Sequence, residues 1–91
     1  MPFKILLHPK AAKALRKLKE PTKTRIKEKL EELKEKPEQK GKRLKYTEFW
    51  ILRIGEYRAI YEINRKEKKV IILFIGHRKT VYADFSKIFL F

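Results

Sequence analysis

A chain of 91 residues with 25 lysines and arginines against 11 aspartates and glutamates carries a net charge of +14, which suits a polyanionic partner such as RNA, DNA or an anionic membrane. The length allows one domain, residues 1–91, and excludes a separate cofactor-binding domain. The chain has no cysteine, which excludes disulfides and thiolate metal sites. No apolar run is long enough to span a membrane and the amino terminus lacks a signal-peptide layout, so the cytoplasm is the expected location.

The first half of the chain predicts a strand followed by a helical hairpin. Residues 3–8 are short, apolar and closed by Pro9, as is typical of a strand. Residues 10–19 and 22–36 repeat apolar residues at helical spacing and end at Pro21 and Pro37. The two apolar stripes consist of Ala11, Ala12, Leu15, Leu18, Ile26, Leu30 and Leu33. The helices are therefore expected to form a hairpin with one apolar side and one lysine-rich side.

The second half predicts three strands after a polar, basic loop at residues 37–48. Residues 49–54 and 57–64 are joined by Gly55-Glu56, a two-residue turn with glycine first, which fits type II′. Residues 70–76 form an unbroken apolar run, which favours a central strand covered on both faces. The apolar tail predicts a short helix or an apolar flap. The order β-α-α-β-β-β predicts an α+β domain, in which the helical hairpin packs on one face of a small, mainly antiparallel four-stranded sheet and leaves the other face partly open.

The turn at Gly55 brings two arginines together. A two-residue turn places Arg53 directly opposite Arg58, with both side chains on the same face. Like charges opposite one another destabilise a sheet, whereas a pair of guanidiniums can bind phosphate oxygens bidentately. A solvated ion pair of Arg53 with Glu48 or Glu62 is the alternative. The core face, by alternation, carries Trp50, Leu52, Ile54, Tyr57, Ala59, Tyr61 and Ile63.

A third arginine, Arg78, follows the last strand. Strict alternation from Val70 puts Arg78 on one side of the sheet and His77 on the other, and leaves open which side the first two arginines share. Tyr82 comes four residues later, and its ring can stack on an exposed base. Three arginines and an aromatic residue predict a site for phosphate and base rather than for metal, because the carboxylates do not cluster.

These motifs resemble the RelE/ParE superfamily of toxins from toxin–antitoxin pairs, over about residues 3–84. The similarity is carried by Leu44, by Trp50-x-Leu52-Arg53-Ile54-Gly55-Glu56-Tyr57-Arg58-Ala59-Ile60-Tyr61, by Gly76-His77-Arg78-x-x-x-Tyr82 and by an amino-terminal Pro9-Lys10-Ala11. The resemblance implies the compact microbial-RNase-like RelE fold. It also implies a cognate antitoxin protein, the ribosome and mRNA as partners, and no membrane, metal or small-molecule cofactor.

The RelE branch implies ribosome-dependent cleavage of mRNA, without metal, through attack of a 2′-hydroxyl on the adjacent phosphate. The products are a 2′,3′-cyclic phosphate and a 5′-hydroxyl. The resemblance assigns Arg58 and Arg78 to stabilising charge on the phosphate, Tyr82 to stacking on a base, and Arg53 to completing the catalytic set. Further contacts with the RNA backbone are expected from Lys42, Arg43, Lys45 and Lys79.

One family position that is usually basic falls on Ile51, which cannot accept a proton. Arg53 remains protonated in proteins, so another group must act as general base. Lys42, Lys45 and His77 are the candidates, although strand alternation argues against His77. Two other functions stay open: a ParE-like, non-catalytic toxin that acts on DNA gyrase, and a non-toxic basic RNA-binding domain.

Overall fold

The computed structural model describes residues 2–90, which form a five-stranded sheet with helices on both faces. The elements in chain order are β1 Lys4–Leu7, α1 Pro9–Arg16, α2 Thr22–Glu31, α3 Pro37–Lys40, β2 Lys42–Arg43, β3 Trp50–Ile54, β4 Tyr57–Asn64, β5 Lys69–His77 and α4 Val81–Phe89. A short 3-10 helix, Glu32–Lys34, extends α2. The predicted α+β class is confirmed. No helix within residues 2–90 has the length and apolar character needed to cross a bilayer.

The sheet has the strand order β1-β5-β4-β3-β2, with β1 and β5 parallel and the other pairs antiparallel. The predicted count of four strands was wrong, because Lys42 and Arg43 pair with β3 inside the segment expected to be a loop. That segment also contains α3. β5 is covered on both faces as predicted, but β4 holds the middle position because β2 extends the sheet.

The larger core lies between the helical hairpin and one face of the sheet. Burial of one leucine or isoleucine side chain in such a core contributes roughly 1.5–3 kcal/mol to the free energy of unfolding. Helix residues Ala11, Leu15, Ile26, Leu30 and Leu33 pack there against Leu52, Ile54, Ala59, Tyr61, Val70, Ile72 and Ile75. Trp50, Tyr57 and Ile63 pack against this cluster while partly buried. The core face predicted from alternation in β3 and β4 is therefore confirmed.

The opposite face of the sheet is covered in part by α4 and stays open beside the exposed Arg53, so the expectation of a partly open face is confirmed. Val81 and Phe85 are buried against Ile51, Ile60 and Leu73. Phe89 continues the stripe at helical spacing and stacks on Phe85 with ring centroids 4.9 Å apart. The tail is thus the helix that was one of its two predicted forms, and it is long enough to bury a second, smaller core.

Candidate phosphate and nucleobase site

The turn at Gly55 sets the position of the arginine pair. Gly55 has a φ of +58°, which glycine adopts without strain and which a type II′ turn requires at its first central residue. The register places Arg53 opposite Arg58, as predicted. Arg53 is exposed, and within residues 2–90 it forms no ion pair. The alternative, an ion pair of Arg53 with Glu48 or Glu62, is therefore not formed in the structure.

Arg58 is a buried guanidinium without a carboxylate partner among the described residues. Only 9% of its surface is exposed, and Nη1 donates hydrogen bonds of 2.8 Å to the carbonyl oxygens of Gly55 and Tyr57. Burying a charge is costly unless it is hydrogen-bonded. In the part of the chain that the structure describes, every fully buried side-chain nitrogen or oxygen has a partner. The remaining N–H groups of Arg58 therefore reach solvent, where they can bind an anion.

Gly76 brings the first turn of α4 close to the sheet beside Arg58. It pairs with Arg58 in the β4–β5 ladder, and a Cβ atom added there would lie 3.1 Å from Cγ2 of Val81. The glycine thus leaves room for Val81 to pack down on the sheet. Tyr82 follows directly in α4 with 47% of its surface exposed. Its ring is therefore accessible to a ligand that binds at Arg53 and Arg58.

These residues line one open groove with a volume of about 410 Å³. Four cationic residues and one aromatic residue line it without a carboxylate, which is the composition expected of a site for phosphate and base. The lining residues are Lys42, Arg43, Leu44, Ile51, Arg53, Arg58 and Tyr82. The fold therefore brings together five of the residues predicted for the site: Lys42, Arg43, Arg53, Arg58 and Tyr82.

β2 delivers Lys42 to this groove. Lys42 pairs directly with Ile51, and residues paired in this way project from the same face of a sheet. The Tyr61 hydroxyl fixes the segment that leads into β2. It donates a 2.8 Å hydrogen bond to the carbonyl oxygen of Pro37, the first residue of α3. Burial raises the pKa of Tyr61 well above its usual range, so this donor keeps its proton. An amine thus lies on β2 directly across from the apolar residue at position 51.

Arg78 does not line the groove. Its Nε atom lies 2.8 Å from a carboxylate oxygen of Glu56, and its backbone N–H donates to the Glu56 carbonyl oxygen. A bulge explains why alternation could not assign its side: Ile60 pairs with Phe74 while Tyr61 pairs with Ile72. Strict alternation from Val70 therefore fails after Ile72, since Phe74 packs with the α4-side core.

Three other predicted residues also lie outside the groove lining. Lys45 and Lys79 are exposed, and His77 packs edge-on against Tyr57 with ring centroids 5.6 Å apart. The Nδ1 atom of His77 accepts a 3.2 Å hydrogen bond from the Lys79 backbone N–H. Because Tyr57 belongs to the hairpin-side core, His77 lies on the face opposite the arginine pair. Within residues 2–90, no three His, Asp or Glu side chains gather into a group that could hold a metal.

Comparison with known proteins identifies a family model and several solved structures that are similar to this chain. The model of the ParE toxin of the type II toxin–antitoxin system parDE matches residues 5–82. The toxin–antitoxin complex RelBE2 of Mycobacterium tuberculosis matches with a TM-score of 0.78 and 27% identity, over 86% of this chain and 100% of that chain. The RelE–RelB complex of Pyrococcus horikoshii matches with a TM-score of 0.73 and 29% identity, over 86% of this chain and 97% of that chain. A mutant of Escherichia coli RelE in the free state matches with a TM-score of 0.76 and 26% identity, over 96% of this chain and 97% of that chain. No curated protein matches the chain in sequence.

Proposed function

Because the chain belongs to the RelE/ParE superfamily of type II toxins, we propose that it is a ribosome-dependent mRNA endonuclease that inhibits translation. The observation that carries this proposal is the groove in which Arg58, buried and without a carboxylate partner in the described chain, lies beside Arg53, Lys42 and Tyr82. Such a groove fits an RNA phosphate with an unpaired base next to it. A ribosomal target places the action in the cytoplasm.

The arginine pair stabilises the reacting phosphate. The 2′-oxygen of the substrate forms a bond to the adjacent phosphorus while the bond from phosphorus to the 5′-oxygen breaks. Negative charge builds on the non-bridging oxygens, where the solvent-facing N–H groups of Arg58 and the guanidinium of Arg53 donate hydrogen bonds. Donors fixed in place before the reaction are worth the most, because they need no reorganisation as charge develops. The two carbonyl contacts of Arg58 supply that fixation.

Lys42 is the proposed proton acceptor. The guanidiniums in the groove cannot lose a proton at physiological pH, whereas an amine can exist in a neutral, accepting form. Lys42 faces the groove across from Ile51, and the other two candidates, Lys45 and His77, do not line it. The amine accepts the proton of the 2′-hydroxyl. The departing 5′-oxygen takes a proton from water, and the hydroxide so formed takes back the proton from the Lys42 ammonium, which gives the 5′-hydroxyl and the 2′,3′-cyclic phosphate and restores the amine.

The remaining site residues position the RNA. Tyr82 stacks on the base beside the cleaved bond, and Arg43, Lys45 and Lys79 contact flanking phosphates. Arg78 exchanges its partner Glu56 for a phosphate when RNA binds. Both members of that ion pair are more than half exposed, and exposed pairs contribute little to stability. The exchange is therefore inexpensive for the fold.

A cognate antitoxin protein is the proposed neutralising partner. The charge of +14 calls for an acidic surface, and opposite charges across an interface speed association and favour the correct partner. The matched structures from M. tuberculosis and P. horikoshii are complexes of a RelE-type toxin with its antitoxin. Co-expression of the cognate antitoxin should relieve toxicity and yield a stoichiometric complex.

DNA gyrase is the second candidate target. The matching family model is named for ParE toxins, and Ile51 replaces a residue that is usually basic in the nuclease branch. In that case the basic groove would contact protein or DNA without catalysis. A gyrase supercoiling assay with purified protein separates the two targets, because the nuclease leaves supercoiling unchanged.

The test of the proposed function compares growth and translation in cells that express the parent, Arg58→Ala or Arg58→Lys. The parent should arrest growth and stop incorporation of labelled amino acids within minutes. Removing one preorganised donor lowers the rate by roughly 10²- to 10³-fold, so Arg58→Ala should be tolerated. Arg58→Lys keeps the charge but loses the bidentate fork and should be intermediate. Arrest by the alanine variant equal to that of the parent contradicts the proposal.

A further inference from the structure

Tyr46 is a tyrosine at a position where neither burial nor backbone preference favours one. It lies in the loop of residues 44–49 between β2 and β3, with 95% of its surface exposed. Its φ of +63° is in the left-handed region, which glycine and asparagine adopt readily and a tyrosine rarely does. An outlier of this kind is a reason to look for function.

The loop around Tyr46 is well fixed. The Leu44 N–H donates to the Phe49 carbonyl oxygen at 2.8 Å. The Thr47 hydroxyl donates to the Leu44 carbonyl oxygen at 2.9 Å and accepts from the Phe49 N–H at 3.1 Å. Leu44 and Phe49 both pack against the α4-side core. The unusual backbone of Tyr46 therefore belongs to an ordered turn that holds the ring out in solvent.

The surroundings of the ring are basic and continuous with the groove. Lys45 Nζ lies 5.8 Å from the ring centroid of Tyr46, and Arg43 Nε donates to the Thr47 carbonyl oxygen at 2.8 Å. Leu44, two residues before Tyr46, lines the groove, and two residues span at most about 7 Å. Glu48 is the single carboxylate of this loop. An exposed aromatic ring with the Lys45 ammonium beside it thus lies within two residues of the groove lining.

We propose that Tyr46 is a second base-stacking residue, which receives an unpaired RNA base outside the groove while Lys45 contacts the adjoining phosphate. The inference rests on the proposed action on RNA and extends it, since Tyr82 serves the base inside the groove. Every base offers a flat face, so a stacking ring adds affinity without selecting a sequence. The base belongs to the mRNA next to the cleaved bond or to an unpaired segment of ribosomal RNA.

The experiment measures the affinity of purified parent, Tyr46→Ala, Tyr46→Trp and Leu7→Ala for two probes, a short single-stranded RNA and vacant ribosomes. Tyr46→Ala should weaken binding to at least one probe by roughly 5- to 100-fold, and the probe affected identifies the source of the base. Tyr46→Trp should retain affinity. Leu7→Ala removes an exposed apolar side chain from β1, at the other edge of the sheet, and should have no effect.

Salt titration separates this inference from the proposed function. Loss of a stacked base should leave the slope of log K against log salt unchanged, whereas Arg58→Ala should reduce the slope by about 0.7. If Arg58→Ala weakens binding and Tyr46→Ala changes neither affinity by more than two-fold, the stacking role is wrong and the proposed function stands. The stacking role is also wrong if Tyr46→Ala leaves both RNA affinities unchanged but abolishes binding of the antitoxin, because Tyr46 is then a contact with protein. If the parent binds neither probe, both proposals are wrong.

Discussion

At the scale of single residues, the site is built from charges placed where they do not help the fold. Arg53 and Arg58 face each other across β3 and β4, and like charges in this position destabilise a sheet by up to roughly 1 kcal/mol. Neither has a carboxylate partner among the described residues. Arg58 is compensated by two carbonyl oxygens, while Arg53 is left to solvent. An anion between them removes the repulsion, so the pair is expected to favour the bound state.

Replacing Arg53 with threonine should therefore weaken RNA binding and leave the fold intact. Threonine suits a strand and removes one charge of the repelling pair, so the free energy of unfolding should be unchanged or should rise by up to about 1 kcal/mol. Thermal unfolding measures the stability. A salt titration of RNA binding should show a slope smaller by about 0.7, the contribution of one phosphate contact on a single strand. A lower Tm with unchanged RNA affinity would show that Arg53 is a structural residue.

A substitution at Lys42 can distinguish a role in RNA binding from a role in proton transfer. Lys42→Arg keeps a positive charge on β2 but removes the group that can accept a proton, so RNA affinity should be retained and the cleavage rate should fall by roughly 10²- to 10⁴-fold. Lys45→Arg is the matched control, because Lys45 is a neighbouring lysine outside the groove lining. Single-turnover cleavage measures both variants. If Lys42→Arg cleaves at the rate of the parent, the general base is another group.

The sequence alone was sufficient to predict the opposition of Arg53 and Arg58, because a two-residue turn with glycine first has only one register. It was not sufficient to separate Lys42 from Lys45 as candidate base. Both residues lay in a segment expected to be a loop, and only the pairing of Lys42 with Ile51 distinguishes them. The partner of Arg78 was equally hidden, since the contact with Glu56 depends on how the chain turns after β5.

At the scale of elements, the short strand β2 decides whether the site is complete. It contains two residues, so its position depends on its supports rather than on its own ladder. Those supports are the hydrogen bond from Tyr61 to the Pro37 carbonyl oxygen and the close approach of Gly41 to β3 and β4. A Cβ atom at Gly41 would meet the Tyr61 hydroxyl and would lie 2.7 Å from the Ile51 carbonyl oxygen.

Gly41→Ala should consequently reduce both stability and cleavage. The methyl group collides with a buried tyrosine and with backbone, neither of which can move freely, and overpacking of this kind costs roughly 1–3 kcal/mol. The displacement of β2 should carry Lys42 and Arg43 away from the groove. Thermal unfolding and single-turnover cleavage provide the measurements. Gln39→Ala, at an exposed and uncharged neighbour in α3, should change neither, and a stable, active Gly41→Ala variant would contradict this role for β2.

The elements recovered from sequence are those with a long periodic signal. β4 was predicted with its observed ends because eight residues of alternation lie between two turns. β2 was missed because two residues carry no period. The bulge between β4 and β5 was missed because an extra residue in one strand leaves no trace in an otherwise continuous apolar run. The tail was ambiguous because its apolar residues suit either a flap or the helix that covers Ile51 and Ile60.

At the level of the molecule, the charge of +14 and the open groove suit the polyanionic target of the proposed function. The helical hairpin packs on one face of the sheet, and α4 covers part of the other face, where Arg53 stays exposed. Under the proposed function, the excess of charge should speed encounter with RNA at low salt and should be screened as ionic strength rises. The groove, which no carboxylate lines, should then hold the phosphate.

The proposed function requires that this groove cleaves mRNA on the ribosome. The most direct measurement incubates the purified protein with ribosomes programmed with a defined mRNA, in parallel with the same mRNA free in solution, and maps the new 5′ ends. We expect cleavage within the A-site codon on the ribosome, with a 5′-hydroxyl on the downstream product, and little cleavage of free mRNA. Cleavage should be lost with Arg58→Ala. If the mRNA on programmed ribosomes stays intact although the same protein arrests growth in cells, the proposed nuclease function is wrong.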